Sequence, residues 1–343
     1  MTRLDAGPEL TEAPPLCDGP RALLLESREV PLGGVRAMEA HRSLRAMEVH
    51  RSLRAMEVHR SLPQRELPMV GAWCFLDRFG PQEVRMRVEP HPHIGLQTVT
   101  WPLVGEVRHR DTLGSDVVVR RGVLNLMTSG AGIAHSEYSV GEGPVPLDML
   151  QLWVALPESR RHGPQAFERH EDLPVIDLDD GATATVVVGS FAGTASPATM
   201  YTPIAGVELH LPAGAAVTLP LVPEWEYALV GVSGEPVVDA GEEGAAGIAL
   251  PDQGLLYLGI HRDGIAVRAE RDTTLFLLGG EPFEADIVMW WNFVGRRHEE
   301  IVEARDAWES GSDRYGHVVG HGDERIPAPP LPGVRLTERR RRV

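Results

Sequence analysis

Lysine is absent from all 343 residues, so each of the 33 basic side chains is an arginine. Against 49 acids they leave a formal net charge of −16. Nucleic-acid binding depends on neutralising phosphates, and this surplus of acid argues against such a partner. The terminal RRRRV is a local exception and reads as a solvated tail. Two cysteines, Cys17 and Cys74, are too few for a disulfide framework and sit in no metal or redox motif. Long apolar runs are missing too: nothing approaches the roughly 20 residues that span a bilayer. The first thirty residues carry acids and prolines where a signal peptide would need an apolar core. The expectation is a soluble cytoplasmic protein, monomeric, with neither nucleic acid nor membrane as a partner.

What the chain does have is length for two cores and an abundance of turns. Apolar residues make up 43%, with 36 glycines and 28 prolines. Short runs such as TATVVVGSF, GLLYLGI and TTLFLLGG recur between Gly, Pro and Asp clusters, which reads as a mostly β body. EEIVEARDAWES is different. Ile301, Ala304 and Trp308 recur at helical spacing, as expected of a short helix docked by one face.

Residues 36–62 repeat one nonapeptide three times: RAMEAHRSL, RAMEVHRSL, RAMEVHRSL. The unit is too short for a solenoid. Its histidines, His41, His50 and His59, give a tract of the kind that can bind metal, but a short duplication at a strand is the simpler origin. One extra copy would turn a strand over, whereas two add eighteen residues and restore the face. The surplus is therefore expected to bulge out, locally disordered and without function.

HPHIGLQTVTW, residues 91–101, places His91 and His93 two apart before a β-branched run. On a strand they share a face, and two imidazoles aimed together into an interior need something to hold them. VVVRRGVLNLMTSGAGIAHSEYS ends on the same pattern, with His135 and Glu137 again two apart behind Gly130 and Gly132. Two antiparallel strands could bring all four side chains together across a small barrel. Three imidazoles and a carboxylate suit a divalent transition metal, Fe2+ first, with Mn, Ni, Cu or Zn as alternatives. His109 is followed two residues on by Asp111 and reads equally well as a surface pair, so it is left outside the ligand set. His317 and His321 stand in a Gly-rich stretch without helical pattern and read as solvated.

HPHxGxxTVTWxxxGEVxHRDxLG, followed by RxGxxxxMTxGxGIxHSE, resembles the pirin family of the cupin superfamily. The likeness extends from PLGG at 31–34 to EEIVEARDAWE. It implies an all-β fold of two stacked cupin barrels (double-stranded β-helix or jelly-roll) with a short C-terminal helix. The expected divisions are a flexible tail over 1–30, a metal-binding cupin over 31–165, a second cupin plus helix over 166–310, and a tail over 311–343. The family's ligands fall on His91, His93, His135 and Glu137. Two positions depart from the pattern. Gln97 stands where cupins usually carry a glutamate, and Arg78 replaces the histidine of FLDHFGP. The second barrel offers no HxH or HxE, and Glu224 and Glu226 read as a solvated rim.

The resemblance implies a flavonol-cleaving dioxygenase of the quercetin 2,3-dioxygenase kind, with a small aromatic substrate, O2 and a mononuclear metal. Glu137 would be both ligand and catalytic base. The alternative is a non-catalytic, metal- or redox-dependent regulator that binds a partner protein.

Overall fold

The computed structural model describes residues 19–31, 56–240 and 247–339. The first half runs through β1 (Pro20–Leu25), β2 (Arg28–Pro31), β3 (Glu57–Leu62), β4 (Trp73–Val84), β5 (Arg87–His93), β6 (Leu96–Val104), β7 (Glu106–Asp111), β8 (Asp116–Arg120), β9 (Leu124–Thr128), β10 (Ile133–Ser139), β11 (Val145–Ala155) and β12 (Ala166–His170). The second half follows with β13 (Val175–Asp177), β14 (Thr183–Phe191), β15 (Thr194–Ala195), β16 (Ile204–Leu211), β17 (Ala216–Pro220), β18 (Glu226–Ser233), β19 (Val237–Asp239), β20 (Ile248–Ala249), β21 (Leu255–Gly259), β22 (Gly264–Arg268) and β23 (Thr273–Gly280). A hairpin of β24 (Val288–Trp290) and β25 (Phe293–Gly295) leads into the helix α1 (His298–Glu309).

Each half folds as two facing sheets. The first pairs a seven-stranded sheet, β12-β9-β6-β11-β4-β3-β2, with a four-stranded sheet, β5-β10-β7-β8. The second repeats the plan, with β1-β21-β18-β23-β16-β14-β13 (plus β15 on β14) facing β17-β22-β19-β20. This is the expected all-β double barrel, with one α-helix, C-terminal, among the described residues. Among the described residues no helix is long and apolar enough to cross a membrane.

Burial along each strand follows from where it sits. β7 alternates exposed and buried because one side meets water. β6 is buried for eight residues running, since one face lines its barrel and the other packs on the second barrel. Val99, Trp101, Leu150 and Leu152 meet Val188, Ile204, Tyr257 and Phe276 across that seam. The seam also has polar stitches. The Trp73 indole N–H lies 3.2 Å from the carbonyls of both Ala205 and Gly279. Gly206 makes room for it, since a Cβ there would stand 2.9 Å from the indole. The Arg78 guanidinium donates to both carboxylate oxygens of Asp148, at 2.8 and 2.7 Å, and to the Val232 carbonyl of the other barrel at 2.8 Å.

Several expectations are corrected. Residues 20–30, expected within a flexible tail, supply β1 on the second barrel and most of β2 on the first, clasping both. Edge strands offer unpaired backbone groups, and those recruit a segment with little apolar pattern of its own. Glu226 is fully buried and accepts a hydrogen bond from the Gly71 N–H at 3.0 Å; only Glu224 lies at the surface. The stretch after 310, expected as a tail, packs Tyr315, Val318 and Ala328 against α1 and its hairpin. Of the nonapeptide array, the third copy supplies β3; residues 36–55, with the expected bulge, lie outside the described residues.

Arg78→Ala strands Asp148 as a buried, unpaired carboxylate and is expected to cost about 3–5 kcal/mol. Equilibrium urea denaturation measures it, and a loss near zero would show that the pair does not hold the seam.

Candidate metal centre

Strand register brings the candidate ligands together. β5 and β10 run antiparallel with His91 directly opposite His135, while β10 and β7 place His109 directly opposite Glu137. Side chains on directly opposed residues share a face, so four imidazoles and a carboxylate crowd one patch inside the first barrel. The donor atoms of His91, His93 and His135 all lie within 4.8 Å of one another. Those of His109, His135 and Glu137 form a second set within the same limit, so His135 belongs to both. All five side chains are buried. Among the described residues, both such clusters lie in this barrel.

With neutral rings, hydrogen bonds to the outer nitrogens of His91 and His135 set which way their lone pairs point. His91 Nδ1 sits 2.9 Å from the Glu89 carbonyl, which can only accept, so Nδ1 carries the proton and Nε2 is bare. Asp111, whose carboxyl stays below the usual range, accepts from His109 Nε2 at 3.1 Å. Burial alone would raise that carboxyl; the bonds from His109 and Ser115 outweigh it. The His109 Nδ1 is then bare and accepts from His135 Nδ1 at 3.3 Å. That leaves His135 Nε2 as a lone pair facing inward, 3.0 Å from His93 Nε2. Two nitrogens about 2.1 Å from one ion and at right angles would stand about 3.0 Å apart. The donor set fits a divalent metal.

Spacing alone leaves His109 outside the site, and the structure brings it in. It is 2% exposed and holds His135 from behind, in the carboxylate–histidine manner that orients metal-ligating imidazoles. Phe167 stacks on its ring at 4.7 Å. The edge of Trp153 meets His93 at 5.2 Å, and Phe75 stacks on Trp153 at 3.9 Å. Gln97 and Arg78, the two departures from the family pattern, both turn away. The Gln97 amide donates to Thr128 Oγ1 and the Thr199 carbonyl, and Arg78 serves the seam, so neither touches this centre.

Burial governs the protonation states. It pushes His91 down to about 4, against the upward pull of the Glu89 carbonyl. It holds His93 and His135 well below the ordinary value, helped by the neighbouring imidazoles. Glu137 is pushed up by burial, opposed by His109 and by the Thr100 hydroxyl, 3.3 Å from its Oε1.

A histidine that is harder to protonate folded than unfolded favours the native state above its unfolded pKa and loses that stability as pH falls toward the folded value. The metal-free protein is therefore expected to weaken between pH 6.5 and 4, with His91 alone accounting for about 3 kcal/mol. His91→Gln should flatten that slope in urea melts at several pH values. An unchanged slope would place the loss elsewhere.

Residues 54–154 match the family model described as Pirin, and residues 206–314 match the Pirin C-terminal cupin domain. A Pseudomonas aeruginosa protein named "Putative quercetin 2,3-dioxygenase PA1205" is 42% identical over 79% of this chain and 84% of its own. A pirin-like protein of Caulobacter vibrioides is 33% identical over 76% of this chain and 90% of its own. The crystal structure of a quercetin 2,3-dioxygenase from Acinetobacter baumannii superposes with a TM-score of 0.80 at 34% identity, covering 92% of this chain and 97% of that one. With both halves matched and relatives of this closeness along most of its length, the chain belongs to the pirin family.

Proposed function

We propose that this protein is a metal-dependent dioxygenase that opens the central ring of a flavonol such as quercetin, with O2 as co-substrate. The observation that carries this reading is a buried set of three imidazoles, His91, His93 and His135, whose donor atoms lie within 4.8 Å of one another, with the buried Glu137 carboxylate within the same distance of His135. His91, His93 and His135 would hold the ion, with Glu137 as fourth ligand. A divalent transition metal there, Fe2+ first with Mn, Ni, Cu or Zn as alternatives, would acidify a coordinated hydroxyl and bring substrate and dioxygen side by side.

The side chains do the rest. Glu137, made more basic by burial, takes the proton of the flavonol 3-hydroxyl, and Thr100 Oγ1 steadies it from the sheet behind. The same hydroxyl lies 3.1 Å from Gln151 Oε1, so its one proton is shared between that amide oxygen and the carboxylate. Asn125 stands opposite Thr100 on β9 and so shares its inward face. It is 2% exposed, and among the described residues neither its amide nitrogen nor its oxygen meets a hydrogen-bond partner. A flavonol's carbonyl and hydroxyls would supply both. The similarity to proteins named for quercetin oxidation supports the same substrate class.

Oxygen uptake with quercetin tests the reading. Iron-loaded protein should consume oxygen and metal-free protein should not. His93→Ala should lose metal and turnover together, while Glu137→Gln should cut turnover by at least about a hundredfold. No uptake with any of several divalent metals would favour the metal-dependent regulator that binds a partner protein. Asn125→Leu is expected to raise KM for quercetin by about tenfold, the cost of one lost buried hydrogen bond, with metal content unchanged. An unaltered KM would remove Asn125 from the substrate's surroundings.

A further inference from the structure

We propose that the segment 314–326 is a strap that sets the orientation of His91, with His321 as its positioning residue. The segment lies mostly beyond the family match, which ends at residue 314. The metal-bearing strands that it covers are irregular. Between the pairs His135–His91 and Glu137–Val88, β10 spends one residue, Ser136, where β5 spends two, Glu89 and Pro90. That extra residue makes a bulge, which leaves ladder groups unpaired and re-aims side chains. The Glu89 carbonyl inside this bulge is the one that holds His91 Nδ1.

The strap takes up what the bulge leaves over. The Ile326 N–H donates to the Pro90 carbonyl at 2.8 Å. The His321 side chain, 3% exposed, corrects the expectation that it is solvated. Its Nε2 lies 2.9 Å from Ser136 Oγ, and its Nδ1 lies 3.1 Å from the Tyr138 hydroxyl and 3.5 Å from Glu89 Oε2. The Tyr138 hydroxyl itself donates to the Glu89 carboxylate. One imidazole thus ties the residue between His135 and Glu137 to the residue whose backbone orients His91. Its own placement is firm. The Tyr315 hydroxyl donates to the Ala304 carbonyl at 2.8 Å, Arg314 Nε to the Ala131 carbonyl at 2.7 Å, and Trp308 Nε1 to the Ile326 carbonyl at 2.9 Å. Gly320, at a left-handed φ of 89°, lets the chain turn tightly there, where a Cβ would stand 2.9 Å from the Arg110 guanidinium.

His321 touches no inward face of the barrel, so it acts through Glu89 and Ser136. The inference rests on His91 being a metal ligand. Zn2+ affinity of the full chain, read by chelator competition, tests it, with the visible spectrum of the Co2+-loaded protein as second readout. His321→Ala and Ser136→Ala should each weaken Zn2+ binding by about tenfold, the lower end for partners that orient ligands. Both should shift the Co2+ bands, while His321→Gln, which keeps a donor and an acceptor, should lie nearer the parent. The metal-free melting temperature of these variants should stay within about 2 °C. Unchanged affinity and bands in both variants would overturn the proposal. So would a fall in metal-free melting large enough to mark general destabilisation. His91→Ala separates the two levels. If it keeps tight metal, the ligand assignment itself fails; if it loses metal while His321→Ala does not, only the strap fails.

Discussion

Keeping buried imidazoles neutral is the constraint from which the rest of this site follows. A protonated ring beside two others, away from water, would meet both a desolvation penalty and its neighbours' repulsion. The protein answers by engaging the outer nitrogens. The Glu89 carbonyl accepts a hydrogen bond from His91 Nδ1, and a run from Asp111 through His109 accepts one from His135 Nδ1. Each fixed proton on the outside is a lone pair on the inside. The inward lone pairs of His91 and His135 are thus a product of the surrounding strands, which is why the register of β10 against both β5 and β7 matters as much as the candidate ligands.

The two barrels share a plan and differ in what fills them. The inward face of the first carries Thr100, Gln151, Asn125 and Glu137 as well as the histidines. The second is packed with Val186, Leu209, Leu229, Leu256 and Leu277. Among the described residues both candidate metal clusters lie in the first barrel, and the second supplies the apolar surface on which it leans. Leaning has its own chemistry. Arg78 and Gln97, which break the family's pattern, both face the seam, where the guanidinium grips Asp148 through two bonds and the Gln97 amide donates to the Thr199 carbonyl.

The i, i+2 spacing makes His91, His93, His135 and Glu137 readable from sequence, because strand alternation alone puts each pair on one face. The same rule leaves His109 undecided. Its partner Asp111 is equally two residues away, and only the pairing with β10 shows that their shared face is the interior. Glu224 and Glu226 show the rule failing: β18 begins at Glu226, so the two carboxylates never share a strand. His321 has no periodic signal at all. Its burial arises from turns at Gly316, Gly320 and Gly322 and from anchors scattered over twenty residues, which a search for strands or helices passes over. The helix is plain by comparison, since Ile301, Ala304 and Trp308 are all buried as their spacing requires.

The nonapeptide array illustrates how little a duplication need disturb. In the third copy Val58 and Leu62 are fully buried, while Arg60 grips both carboxylate oxygens of Asp77 at 2.7 Å. The register of β3 against β4, with an irregularity between Arg60 and Leu62, fixes these placements within the third copy itself. From Pro31, where β2 ends, to Glu57, where β3 begins, the chain has 25 intervening residues; without the surplus it would have seven. Closure entropy grows only with the logarithm of length, so the lengthening costs about 1 kcal/mol. That is small beside the buried Val58 and Leu62 and the Arg60–Asp77 pair that β3 contributes.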